Sequence, residues 1–391
     1  MEKTVRVLHV LGGLSLGGAE SRIMDLYRCM DREKVQFDFL VHQKDAGCYQ
    51  ERGTSCGTER IPEFYDEEVK RLGGNIYLLP KFKVYNYFQY KKAVRAFFAT
   101  HREFAAVQGH MTSTASIYLP QARKAGIPVL SAHARSAGVD KGIKGWVTRF
   151  LRLPLLKKAD YCFACSKEAG ESVFGKKWEH SGKDYLIPNA IDAEKFVYNE
   201  AVREEVRKEW KLSDCYVIGH VGRFHYAKNH KFLLEIFAQV YEKLAAQGKR
   251  CVLMLLGEGE GMEAAKEQAK QLGISEAVLF AGNQGDVWRY YQAFDFFLFP
   301  SRFEGLPGTV VEAQAAGLHC LISDRITSEV EISELVKFES IERPAQVWAD
   351  YVLQYLSYER KDMCEEIKRA GFDVKEQAAK MERFYRTGKM G

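Results

Sequence analysis

The sequence predicts an α/β protein made of two Rossmann-like, doubly wound domains. Three observations predict it. Apolar runs of strand length are continuous rather than alternating, as in strands covered on both faces. Most of them are followed by a helix-length segment, the order of a parallel sheet with crossover helices. The pattern also starts afresh after a Pro/Asn segment, Ile187-Pro-Asn-Ala-Ile-Asp-Ala-Glu-Lys-Phe196. The chain has 391 residues, more than one hydrophobic core usually serves.

Taken in order, VRVLHVL (5–11) reads as the first strand, followed by helical spacing from Ala19 to Met30. FDFLV (37–41), NIYLL (75–79), AAVQGH (105–110), PVLSAH (128–133) and DYCFAC (160–165) read as the remaining strands of the first half. The second half opens with CYVIGHVG (215–222), a strand that ends in glycine. Residues 228–248 carry apolar side chains at helical spacing and stop at Gly248. VLMLLG (252–257), AVLFAG (277–282), DFFLFPS (295–301) and HCLISD (319–324) complete the second set of strands. Residues 374–386 read as a final helix. In such sheets ligands sit beyond the C-terminal strand ends, and two facing domains enclose a cleft.

Composition excludes several classes. The hydrophobic share of 46% and charged share of 28% are those of a folded globular protein. A net charge of +5 is too mild to suggest a nucleic-acid binder. The first apolar run is short and broken by glycine, unlike a signal peptide, and no run is long enough to span a membrane. The expectation is a cytoplasmic protein. Nine irregularly spaced cysteines do not form a disulfide framework. Cys162-Phe-Ala-Cys165 lies in an apolar run without a second Cys pair or a nearby His pair. It reads as buried thiols rather than a zinc site.

Five stretches can carry chemistry. Gly12-Gly-Leu-Ser-Leu-Gly-Gly-Ala-Glu20 joins a strand to a helix and offers backbone N–H groups to an anion or sugar. It lacks the dinucleotide fingerprint, and a plain tight turn is the alternative. Gly222-Arg-Phe-His-Tyr-Ala-Lys228-Asn-His places Arg223 and Lys228 at a strand end, where two cations suit a diphosphate. The alternative is solvated charge. Ser301-Arg-Phe-Glu-Gly-Leu-Pro-Gly-Thr309 is a loop opening a helix, with N–H groups near Gly308 and Thr309 available to phosphate. There Glu304 can accept hydrogen bonds from sugar hydroxyls and Glu312 can chelate the diol of a ribose. A second reading makes the two carboxylates the acid and nucleophile of a hydrolase.

Ser131-Ala-His133-Ala-Arg135 ends a strand, so His133 can donate a hydrogen bond to a sugar or leaving group; His110 has a weaker claim of the same kind. A structural role is the alternative for both. Residues 141–158 carry six cations and no acid, with Trp146, Phe150 and Leu153 on one helical stripe. That pattern fits a helix lying on a membrane or an amphipathic helix facing the core.

Glu304, seven intervening residues and Glu312, within E-G-L-P-G-T-V-V-E-A, resemble the signature of retaining GT-B glycosyltransferases. More specifically they resemble family four, which builds capsules, exopolysaccharides and lipid-linked glycans. G-R-F-x-x-x-K-N at 222–229, G-G-A-E in the first loop, I-P-N-A-I-D and S-D-R-I-T-S-E-V are similar to that family as well. These matches run from about residue 5 to 332, most of the chain.

The resemblance implies an acceptor-side domain over 1–190, a nucleotide-sugar domain over 191–372, and a C-terminal helix over 373–391 that packs back on the first domain. It implies a retaining hexosyl transfer from a nucleotide sugar, a UDP-sugar by expectation, to a glycan or lipid-linked glycan, with no metal and no other cofactor. Arg223 and Lys228 would hold the diphosphate and stabilise its departure. Glu312 would bind the ribose, and Glu304 with backbone of Gly305 and Leu306 the hexose. Backbone near Thr309 would meet phosphate, and Gly282-Asn283 the base. Gly17 and Gly18 would border acceptor and diphosphate, with His133 beside the transferring sugar. In the family a longer His-rich run often stands at this position, whereas Ala132 and Ala134 flank His133 here. A nucleotide-sugar 2-epimerase and a non-catalytic donor-binding partner of another transferase are the competing readings.

Overall fold

The computed structural model describes residues 4–43, 61–135 and 143–390. The chain divides into two compact units, one formed by 1–189 with 374–391 and the other by 190–373.

The first unit holds a seven-stranded sheet: β1 (Val5–Val10), β2 (Val35–Gln43), β3 (Ile76–Pro80), β4 (Phe104–Gly109), β5 (Val129–Ala134), β6 (Tyr161–Ala164) and β7 (Asp184–Leu186). All pairings are parallel, in the order β3-β2-β1-β4-β5-β6-β7. The second holds β8 (Tyr216–Val221), β9 (Cys251–Leu256), β10 (Val278–Gly282), β11 (Phe296–Phe299), β12 (Cys320–Ser323) and β13 (Val336–Glu339). These are again all parallel, in the order β10-β9-β8-β11-β12-β13. Chain order reverses between β1 and β4 and between β8 and β11, the two topological switch points.

Continuous apolarity has the expected physical result. Every residue of β5, β9, β11 and β12 is buried. Each large aliphatic or aromatic side chain enclosed this way contributes roughly 1.5–3 kcal/mol. The strands unforeseen from sequence, β7 and β13, are short edge strands with mostly part-exposed residues, so they carry no apolar run. The cysteines at 162, 165, 215, 251, 320 and 364 are buried free thiols, and burial pushes Cys162 up to about 12.

The final helix, Val374–Thr387, buries Val374, Ala378, Met381, Phe384 and Tyr385 on one helical stripe. It packs against the helix Gly18–Cys29 and strands β1, β2 and β4. The Tyr385 ring meets Phe37 edge-on with centroids 5.7 Å apart. No helix among the described residues is long and apolar enough to cross a membrane.

Candidate active site

In the second unit the C-terminal ends of four strands bring the predicted residues together. The loop after β8 passes through a short 3-10 turn, Tyr226–Lys228, into the helix His230–Ala245. Asn229 at this junction is left-handed (φ 56°, ψ 42°), a conformation asparagine tolerates. Its amide donates to the Pro300 carbonyl at 3.1 Å, and its oxygen accepts from Arg302 at 2.7 Å. The Arg302 N–H donates to the Ala227 carbonyl at 2.7 Å, and its guanidinium lies 4.8 Å from the Tyr226 ring centre. Two loops far apart in sequence are thereby fixed as one surface at the β8/β11 switch point.

On that surface Lys228 Nζ stands 2.7 Å from Glu304 Oε1 and 4.5 Å from the Phe299 ring centre. The cation is held by a carboxylate on one side and an aromatic face on the other. Arg223 is exposed.

Glu304 precedes the helix Gly308–Ala315, whose N-cap is Pro307. The helix has no side-chain cap and no acid in its first turn. The Val310 N–H already donates to the Pro307 carbonyl at 3.1 Å, which leaves the N–H groups of Gly308 and Thr309 and the positive end of the dipole to an anion. Thr309 Oγ1 is enclosed and has no hydrogen-bond partner among the described residues. Gly305 and Leu306 are buried. Glu312 is 3% exposed and accepts a 2.8 Å hydrogen bond from the Tyr291 hydroxyl.

Sequence reasoning passed over the loop Gly257-Glu-Gly-Glu-Gly261 after β9. The Phe224 N–H donates to the Glu258 carbonyl at 3.0 Å, and the Gly261 N–H to the Phe224 carbonyl at 3.0 Å. Gly257 (φ +128°) and Gly259 (φ +157°) lie so close to the Gly222 and Phe224 carbonyls that a Cβ would overlap them. The three alternating glycines were the available signal. Glu258 also receives a 3.0 Å hydrogen bond from the Asn283 amide at the end of β10. Tyr291 was missed as well, because nothing in a one-residue signal marks it as the partner of Glu312.

The first unit gathers different chemistry at its switch point. His133 is completely buried at the end of β5, with Nδ1 3.2 Å from the Gln108 amide. Gln108 in turn accepts from the Tyr385 hydroxyl. His9 and His110 are joined ring to ring at 3.1 Å, and Arg135 Nε donates to His110 at 3.1 Å. Burial pushes His133 and His110 well below the usual histidine range, and His9 down to about 3, with Arg135 repelling any added proton on each. The rings are neutral, and His133 offers no surface to solvent. Gly17 caps the helix Gly18–Cys29, which carries Glu20 in its first turn; a Cβ on Gly18 would meet open space.

The stripe at 146, 150 and 153 does not face the core. Trp146, Phe150 and Leu153 are 74%, 72% and 75% exposed. They lie on the helix Ile143–Arg152 and the turn after it. Residues 141 and 142 of the predicted basic segment lie outside the described residues.

Two doubly wound parallel sheets, one with a cationic, anion-ready switch point, are the architecture of the GT-B class of nucleotide-sugar proteins. Known proteins agree. Residues 17–179 match the model of the glycosyl transferase 4-like domain, and residues 202–373 that of glycosyl transferases group 1. The chain is 36% identical over 381 residues to the putative glycosyltransferase EpsF of Bacillus subtilis, covering 95% of this chain and 94% of that one. It is 23% identical over 361 residues to the capsular polysaccharide biosynthesis glycosyltransferase CapH of Staphylococcus aureus, covering 90% and 91%. The fold superposes on that of Anabaena HepE, crystallised with UDP and glucose, with a TM-score of 0.76 at 14% identity, covering 98% and 100%. The chain belongs to the family-four GT-B glycosyltransferases, with the 4-like domain in its first unit and the group 1 domain in its second.

Proposed function

We propose that this glycosyltransferase moves a hexose from a nucleotide sugar to a glycan or lipid-linked glycan acceptor in polysaccharide assembly, with retention at the anomeric carbon and without a metal. The observation that carries the reading is the 2.7 Å pairing of Lys228 with Glu304 beside the uncapped helix Gly308–Ala315. A cation, a carboxylate and free N–H groups stand within one loop pair, which is what a sugar joined to a diphosphate needs. In this reading Glu304 accepts from the hexose hydroxyls, with backbone of Gly305 and Leu306 alongside. Lys228 and Arg223 meet the diphosphate and stabilise the charge it gains on leaving. Backbone near Thr309 holds phosphate, Glu312 the ribose and Asn283 the base. The acceptor hydroxyl attacks from the face the diphosphate vacates. Gly17 and Gly18 border acceptor and diphosphate, and His133, enclosed at the end of β5, acts beside the transferring sugar by positioning.

UDP is the favoured nucleotide, in keeping with a galactosyltransferase of Escherichia coli whose donor is UDP-Gal; it is 27% identical over 230 residues. Residues 141–158 provide peripheral membrane contact, supported by the exposed aromatic stripe and its flanking cations. Nucleoside diphosphate release from a panel of nucleotide sugars, with and without glycan acceptor, tests the proposal. Release that requires acceptor and survives chelator, with anomeric retention by NMR, is the expected result. Donor interconversion without acceptor would indicate an epimerase, and donor binding without release under any condition a non-catalytic partner.

A further inference from the structure

A histidine under the β8/β11 switch point has no part in the donor reading. His220 stands in β8 one residue before its end and is fully buried. Its Nδ1 lies 2.9 Å from the Leu298 carbonyl of β11. A carbonyl only accepts, so Nδ1 carries the ring hydrogen and Nε2 the lone pair. Burial pushes this ring well below the usual histidine range, with His230 and Lys228 opposing any added proton, and the imidazole is neutral. Nε2 is enclosed and has no hydrogen-bond partner among the described residues. An enclosed acceptor without a donor is destabilising, and strand pairing gives no reason for it.

The surroundings of Nε2 give one. A side chain at Gly222 would place its Cβ 3.0 Å from Lys228 Cε, 3.1 Å from Lys228 Cδ and 3.2 Å from His220 Nε2. The lysine chain and the imidazole nitrogen therefore border one small space, which glycine leaves open. They share an aromatic neighbour as well. The His220 ring stacks on Phe299 with centres 5.4 Å apart, and Lys228 Nζ is 4.5 Å from the centre of the same phenyl ring. His230, itself stacked on Phe224 at 4.1 Å, meets the imidazole edge-on at 5.0 Å. The imidazole is wedged between aromatic rings, whereas the lysine chain can rotate toward it.

Lys228 needs a second partner. Its ammonium is paired with Glu304 at 2.7 Å. In the donor reading both groups have other work, the ammonium on the diphosphate and the carboxylate on the hexose. A carboxylate also cancels the charge that a departing diphosphate requires. A neutral imidazole lone pair orients an ammonium through one N–H and leaves its full positive charge to the phosphate.

We propose that His220 is a positioning residue for Lys228. As a diphosphate draws the ammonium from Glu304, Nε2 accepts one of its N–H groups and holds the cation against the leaving group. The inference rests on the donor reading above and adds to it a residue that touches no substrate.

Calorimetric titration of the full-length chain with inorganic pyrophosphate tests this without assuming a nucleotide or a sugar. His220→Asn keeps a donor for the Leu298 carbonyl and removes the acceptor beside Lys228. His220→Gln does the reverse, with its amide oxygen where Nε2 stood. The asparagine variant should weaken pyrophosphate about tenfold, as loss of a hydrogen bond to a charged group does. The glutamine variant should weaken it by no more than about threefold. A ring with a merely structural role gives the opposite order, which the thermal midpoint without ligand should follow. Gly222→Ala pushes a methyl between the two groups and leaves the ring in place. It should weaken pyrophosphate about as much as His220→Asn, and it decides the matter if either histidine variant fails to fold. Affinity unchanged in His220→Asn or in Gly222→Ala, or lower in His220→Gln than in His220→Asn, overturns the proposal and leaves the donor reading standing. No binding of pyrophosphate to the unsubstituted chain overturns both.

Discussion

The two sheets share a topology, yet their switch points hold opposite chemistry. At β1/β4 the strands end in neutral imidazoles, two of them fully buried, beside the half-buried Arg135, and the helix beyond the glycine loop already has Glu20 in its first turn. At β8/β11 they end in part-exposed cations and a carboxylate, and the helix beyond that loop has neither acid nor cap at its start. A strand end shows where a ligand can sit. Whether the helix dipole is already satisfied, and whether the charges reach solvent, decides which anion is held there.

Substitutions at the two ends should differ in kind. Lys228→Ala or Glu304→Ala is expected to lower the transfer rate by about 10²- to 10³-fold, as loss of a charge-stabilising group does. The thermal midpoint should stay near its original value, because this loop pair adds little to the core. His133→Gln should cost less than the roughly 10²-fold typical of a proton-transfer group, because an enclosed ring acts only by positioning. Equal losses at both ends, measured as kcat on the same donor and acceptor, would erase the contrast.

Gly257→Ala sharpens it within the second unit. A side chain there is forced into the Gly222 carbonyl from a backbone conformation that disfavours it. We expect a loss of about 1–3 kcal/mol in urea unfolding together with weaker nucleotide binding, because Arg223 moves with the displaced loop. Tyr291→Phe removes the hydrogen bond to Glu312 and should lower nucleoside diphosphate affinity by about 1–2 kcal/mol in calorimetry; an unchanged affinity would detach Glu312 from the nucleotide.

The smallest effect lies in the first unit and appears only with pH. His9, His110 and His133 resist protonation in the folded protein, whereas the unfolded chain takes up protons near pH 6.5. Between those values the unfolded state binds more protons. The stability these residues confer is therefore complete above about pH 6.5 and is lost as pH falls toward the folded values. His133→Gln should flatten that loss by about 1.4 kcal/mol per pH unit between pH 6 and 5, read from urea unfolding at each pH.

Much of this architecture was legible because buried parallel strands write themselves as unbroken apolar runs. β9 and β11 could be read directly, while β7 and β13 could not, being short and half-wet. The charged loops of the second unit were legible for a related reason: each cation or carboxylate stands just after an apolar run, so its place on the sheet edge follows from the strand. Pairings across sequence were not. Nothing in the sequence near Asn229 says that Arg302 will reach it, nor that Tyr291 will find Glu312. Exposure was equally hidden. The stripe at 146, 150 and 153 has the same periodicity whether it faces a core or solvent, and only the neighbouring segments decide.

The last helix carries a further consequence. The first unit is assembled from both ends of the polypeptide, and the 184 residues from 190 to 373 intervene between them. On the ribosome, at about 5–20 residues per second, roughly ten to forty seconds separate completion of β7 from emergence of Tyr385. During that interval the faces of Phe37 and His9 that Tyr385 will cover stay bare. The second unit is therefore born inside an unfinished first one, and a nascent chain halted near residue 373 would leave an apolar scar for chaperones to shield.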